Sequence, residues 1–189
     1  MGQKACINNC SFCCQPAFFG APGLRKRSVE HFLEELKWVQ QIGFKEVMFN
    51  DATLTADMAW AASLFERMAK NNIDLTWNCS TRADRINPEI LKLMKKAGCH
   101  TIALGMESVD PTVLKNVRKN IKAEQIREAV SIIRKHGINT IVFSVVGFPG
   151  ESRESIQNTI DFLKTLDTSF ITLGIAVPIP GTDFYRYVE

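Results

Sequence analysis

Three stretches of this 189-residue sequence share one grammar, in which an amphipathic segment closes on a glycine and a short β-rich run follows. Gln40-Gln41-Ile42-Gly43 leads into 44–50, Lys95-Lys96-Ala97-Gly98 into 99–105, and Lys135-His136-Gly137 into 138–146. Each glycine stands where a helix ends in the left-handed conformation, which a residue without Cβ adopts at no steric cost. Asn72 does the same before 73–79, asparagine being the next most tolerant residue there. Helix starts are equally legible: Ser28, Thr55, Asn87 (with Pro88 behind it) and Ser152 predict N-caps for helices over 29–42, 58–70, 90–96 and 156–166, and a further helix spans 123–136. The runs 46–49, 140–143 and 170–173 are almost continuously apolar, as parallel strands covered on both faces are. Strand and helix alternating through short links predict an α/β fold, a partial (β/α)6 TIM-like barrel on a parallel sheet. One domain is expected over residues 1–189, with functional residues at strand C-terminal ends. Only five residues precede the first cysteine, so the first strand is expected to be truncated and the chain to be a piece of a longer protein.

Composition narrows the class. With 46% hydrophobic and 23% charged residues the chain carries enough apolar side chains for one sizeable core. The formal net charge of +3 is small and the longest like-charged run is Arg25-Lys26-Arg27, a solvated helix approach, so charge does not imply nucleic acid or anionic membrane as a partner. No apolar run reaches the length of a membrane span, and the N-terminus lacks the apolar core of a signal peptide; a cytoplasmic location is expected. That setting disfavours disulfides, and four of the six cysteines fall within nine residues, a density that favours metal ligation.

Cys6, Cys10 and Cys13, at x3, x2 spacing, put three thiolates on one tight loop. Soft sulfur donors select zinc, copper(I) or an iron–sulfur cluster. Such sites want four ligands, so one corner is left for something other than a protein side chain. Cys14 points away from the metal if Cys13 points toward it, and Cys79 and Cys99 read as small buried hydrophobes. His31, His100 and His136 have no metal spacing among themselves. Arg82, just beyond a strand, could face the strand-end site, while Asp84 and Arg85 nearby suggest a surface ion-pair network of little energetic consequence.

Cys6-x3-Cys10-x2-Cys13, with aromatic Phe12 before the last cysteine, resembles the signature of radical S-adenosylmethionine (SAM) enzymes. Four further elements stand in that family's order: Asn50-Asp51-Ala52, Leu104-Gly105-Met106-Glu107-Ser108, the run from Val145 through Gly147 to Glu151, and Pro178-Ile179-Pro180-Gly181-Thr182. The resemblance covers residues 6–187. It implies a 4Fe-4S cluster on the three cysteines, with SAM on the open iron. Reductive cleavage of SAM would then give a 5′-deoxyadenosyl radical that abstracts hydrogen.

By the same resemblance Asp51 accepts the SAM ammonium, although an Asx turn or helix cap suits it equally. Glu107 with Ser108 takes the ribose hydroxyls, and Lys119 pairs with the SAM carboxylate unless it is a solvated surface lysine. Phe12 offers its backbone to the adenine, Val145 and Pro178 cover the ring, and Gly147, Gly150 and Gly181 turn the backbone tightly. No general acid or base is assigned. The elements are most similar to the branch usually fused to a cobalamin-binding domain, which would supply cobalamin from outside this chain for methyl transfer or cyclisation. Implied partners are a small-molecule substrate and an electron donor such as flavodoxin or ferredoxin. The competing readings are a methylthiotransferase-like radical enzyme and a non-catalytic iron–sulfur or zinc module.

Overall fold

A computed structural model describes residues 1–19 and 23–189. β1 (Gln3–Lys4) leads into the cysteine loop and a short helix α1 (Gln15–Phe19), after which β2 (Arg25–Lys26) pairs antiparallel with β1. Strand and helix then alternate: α2 (Val29–Gln41), β3 (Glu46–Phe49), α3 (Met58–Lys70), β4 (Thr76–Thr81), a 3-10 turn over Ala83–Arg85, and α4 (Pro88–Lys96). The second half runs β5 (Cys99–Glu107), α5 (Pro111–Asn116), α6 (Ala123–Lys135), β6 (Asn139–Val146), α7 (Arg153–Lys164), β7 (Phe170–Ile175) and α8 (Asp183–Val188). β3 to β7 form one parallel sheet in sequential order, and the segment ahead of the cysteines adds its two-residue strand to the separate ribbon.

Local chemistry explains these boundaries. Ser28, Asn87 and Ser152 cap α2, α4 and α7 by accepting from the N–H groups of His31 (3.2 Å), Ile90 (2.8 Å) and Ser155 (3.1 Å). Gly43, Gly98 and Gly137 are left-handed at φ 101°, 95° and 68°, and Asn72 joins them at 52°. α3 departs from expectation, for its cap is Asp57, which accepts from the Trp60 N–H at 2.9 Å. Thr55 is buried instead, its hydroxyl donating to the Arg85 carbonyl at 3.1 Å. Asp110 as cap and Pro111 in the first turn mark the short α5, which ends at Asn116, so Lys119 lies beyond that helical segment and not within it.

The main core lies between the sheet and α2, α3, α4 and α6. Trp77 stacks between Phe49 and Phe65, with ring centroids 4.8 and 5.1 Å away, and its indole N–H donates to the Ala97 carbonyl at 2.6 Å. A second, smaller cluster gathers Val113, Val117 and Phe148 with Phe12. β3 and β7 correct an expectation: neither is covered on both faces, because they are the two edge strands of the sheet, and Met48, Phe170 and Ile175 are 63%, 65% and 78% exposed. Among the described residues no helix is long and apolar enough to cross a membrane.

Candidate functional site

The C-terminal ends of β3 to β6 and the cysteine loop enclose a cavity of about 450 Å³. Cys6, Cys10, Phe12 and Cys13 line it from the loop, and Asp51, Arg82, Glu107 and Val145 from the strand ends. The loop is fastened at its middle, where the Ser11 N–H donates to the Val117 carbonyl (3.0 Å) and the Ser11 carbonyl accepts from the Phe184 N–H (2.9 Å). Beside it the Phe12 ring packs on Phe148 with centroids 5.0 Å apart. All three thiols are free and partly buried. Cys6 Sγ accepts from both the backbone N–H and the side-chain amide of Asn8, each at 3.5 Å. Burial pushes the Cys10 and Cys13 thiols up; at Cys10 the charges of Lys119 and Arg82 act in the opposite direction. Cys14 does not line the cavity. Among the described residues, no three histidine, cysteine, aspartate or glutamate side chains converge as they would on a single metal ion.

The end of β5 carries the most unusual local geometry. Glu107 is left-handed at φ 68°, and the pairing of β5 with β6 shifts register between Gly105 and Glu107. Ser144 fixes this kink by donating its hydroxyl to the Glu107 carbonyl at 2.7 Å. The Glu107 carboxylate in turn meets Lys119 Nζ at 2.9 Å, both side chains being 9% exposed. Gly105 makes room for the pair, since a Cβ there would lie 2.6 Å from Glu107 Oε1 and 2.9 Å from Lys119 Nζ. Lys119 is therefore no surface lysine. Asp51 is equally buried, and its carboxylate is taken by the Gly2 N–H (3.0 and 3.2 Å to its two oxygens) and the Gln3 N–H. Burial raises the Asp51 carboxyl above the usual range, while these N–H bonds work against the rise. Asp51 thus ties down the strand ahead of the cysteines and caps no helix.

Other expected residues fall outside the cavity. Ser108 turns its hydroxyl to the Asp110 N–H (3.1 Å) and to Thr159 (3.3 Å), holding the turn after β5. Gly147, at φ 95°, donates its N–H to the Glu151 carboxylate, and neither it nor Pro178 lines the cavity. Arg82 moves the other way. It is 6% exposed and lines the cavity, its guanidinium held by Asp84 (2.8 and 3.0 Å) and the Asn120 carbonyl (2.8 Å). Its place just beyond the C-terminal end of β4, the same end of the sheet at which Glu107 closes β5, is the signal that marks it. Gln15 was missed: its side-chain oxygen is buried at the cavity with no hydrogen-bond partner among the described residues. Such an orphaned acceptor suits a ligand that brings its own donor. Three soft donors without a fourth, two buried cations and an unfilled acceptor fit a thiolate-held cluster with a polar ligand beside it.

The sequence matches the radical SAM superfamily over residues 2–163. It is 36% identical to an uncharacterized methyltransferase of Pyrococcus horikoshii over 188 residues, 99% of this chain and 41% of that protein. It is 30% identical to bacteriochlorophyllide d C-12(1)-methyltransferase of Chlorobaculum tepidum over 194 residues, 100% of this chain and 42% of that protein. The radical SAM methyltransferase TsrM of Kitasatospora setae, solved with cobalamin and a 4Fe-4S cluster, superposes with a TM-score of 0.90 at 20% identity, over 97% of this chain and 37% of that one. At that identity the likeness concerns the fold. The chain spans about two fifths of the length of these curated relatives. With the family matched across most of its residues, the chain belongs to the radical SAM superfamily.

Proposed function

We propose that residues 1–189 are a single cofactor-binding core domain in which Cys6, Cys10 and Cys13 hold a 4Fe-4S cluster and the cavity beside them takes SAM. The observation that carries this reading is that three free thiols of one loop open onto the same cavity as the buried Glu107–Lys119 pair and Arg82. A bound cluster would supply one electron for reductive cleavage of a carbon–sulfur bond of SAM, the chemistry from which hydrogen abstraction follows.

The chain's residues bind and orient. Cys6, Cys10 and Cys13 would hold the cluster through three thiolates, fewer than the four protein ligands of a closed site, which would leave it open to a ligand in the cavity. Lys119 and Arg82 place positive charge beside Cys10, which favours its thiolate and an anionic ligand group. Glu107 and Lys119 hold each other. SAM would offer hydroxyls to the one and a carboxylate to the other, so binding would exchange one buried pair for two. Gln15 accepts a donor from the ligand, Phe12 presents its backbone, and Val145 gives apolar cover. Asp51 positions the strand that delivers the loop, and Ser108, Gly147 and Pro178 shape the surrounding turns.

We extend the proposal to methyl transfer on a small-molecule substrate, following the methyltransferase relatives, with a one-electron donor protein and with cobalamin held elsewhere; no cavity residue is assigned to cobalamin. Anaerobic reconstitution tests the core of this reading. Four irons per chain are expected, with an electron paramagnetic resonance signal after reduction that changes on adding SAM. Cys10→Ala should lose the iron while its circular dichroism stays unchanged. A cluster with four protein ligands that ignores SAM would overturn the proposal.

A further inference from the structure

Next to the thiol cavity, lined by Ile7, Asn8 and Asn9 of the cysteine loop and by residues between 109 and 125, lies a groove of about 950 Å³. Ile7, Val109, Leu114 and Ile121 give it an apolar lining, and Lys115, Arg118 and Lys122 a cationic one, with Glu124 the acidic residue among them. The cationic excess is real. Arg118 shares Asp183 with Arg186, leaving one charge over, and Lys115 and Lys122 are exposed and form no ion pair with a described residue. An apolar centre with a charged rim is the usual anatomy of a transient protein interface.

Asn8 and Lys119 line both the groove and the thiol cavity, so the wall between them is one residue thick. Asn8 also donates both its N–H groups to Cys6 Sγ. A hydrogen-bonded route therefore runs from the groove to a cluster thiolate through a single residue.

We infer that this groove is the docking surface for an acidic one-electron carrier protein of the ferredoxin class. Lys115, Arg118 and Lys122 meet carboxylates of the carrier, and Asn8 links it to Cys6. The inference rests on the cluster assignment proposed above. In the exchange one electron leaves the reduced carrier and enters the cluster; no bond forms or breaks and no proton moves.

The test uses the reconstituted chain, a purified acidic ferredoxin, and the charge-reversed variant Lys115→Glu/Lys122→Glu. A control variant, Lys70→Glu/Lys92→Glu, makes the same change on the exposed faces of α3 and α4, outside the groove. Binding is read by fluorescence titration at several salt concentrations, and electron transfer by stopped-flow bleaching of the cluster. The groove variant should bind roughly tenfold more weakly at low salt, with a shallower salt dependence, and accept electrons from ferredoxin correspondingly slowly. Its reduction by dithionite should match the unaltered chain, as should every property of the control. Equal losses in both variants, or no loss in the groove variant, would overturn the docking surface. A chain that assembles no cluster, or whose dithionite-reduced cluster ignores SAM, would instead break the underlying reading.

Discussion

β5 and β7 belong to the same sheet and are written in nearly the same apolar alphabet, yet they live in different surroundings. β5 lies between β4 and β6 with α4 and α6 packed against it, and Ile102, Leu104 and Met106 are wholly buried. β7 pairs only with β6, and its large side chains face outward. Apolar composition therefore says that a strand can be buried; its neighbours decide whether it is. The difference also explains where the unusual chemistry sits. A left-handed glutamate costs about 1–3 kcal/mol and persists only where packing over-determines it. The end of β5 meets that condition, with Ser144, Lys119 and Gly105 fixing Glu107 from three sides.

The comparison breaks most readily at the charge pair. Lys119→Met leaves Glu107 buried and unpaired, and should destabilise the fold by about 3–5 kcal/mol in denaturant titrations. Adding Glu107→Gln should restore most of that loss; a single-variant effect under about 1 kcal/mol would mean that the end of β5 is as open as β7. Next in size, Leu104→Ala on β5 should cost about 2–5 kcal/mol, the range for a fully buried leucine. Asp57→Ala supplies an intermediate scale, removing the α3 cap for about 1 kcal/mol. The neighbouring Lys26 holds the Asp57 carboxyl below its ordinary range. Its contribution is therefore complete above the usual aspartate range and fades as pH falls through the lowered value, which melting curves between about pH 7 and about pH 3 would reveal. Smallest of all, Leu173→Ala on β7 should stay within about 0.5 kcal/mol; a loss like that at Leu104 would erase the distinction between the strands.

What could be read from the sequence was what depends on near neighbours. The strand and helix order, the caps Ser28, Asn87 and Ser152, and the left-handed Gly43, Asn72, Gly98 and Gly137 are all fixed by a few adjacent residues. The cysteine spacing is legible for the same reason. Thr55 and Asp57 are both good caps two positions apart, and the burial of Thr55 against the Arg85 carbonyl, thirty residues away, decides between them. In the site, distance along the chain set the limit. Glu107 could be placed at a strand end, but its partner Lys119 comes from beyond α5, and the groups that occupy Asp51 come from residues 2 and 3. For Arg82 the sequence left open a place at the site and a surface pair with Asp84; the pair forms, and a bond to the distant Asn120 carbonyl accompanies a buried place at the cavity.

The bonds at Ser11 make the cysteine loop a span resting on two piers, one at the end of α5 and the other at the start of α8. The second pier lies more than 170 positions away in sequence, since it is the Phe184 N–H that reaches Ser11. The loop between Cys10 and Cys13 is consequently held at two points by distant parts of the chain. α8, which contributes no residue to the cavity, is thus bonded directly to the loop that carries the three thiols.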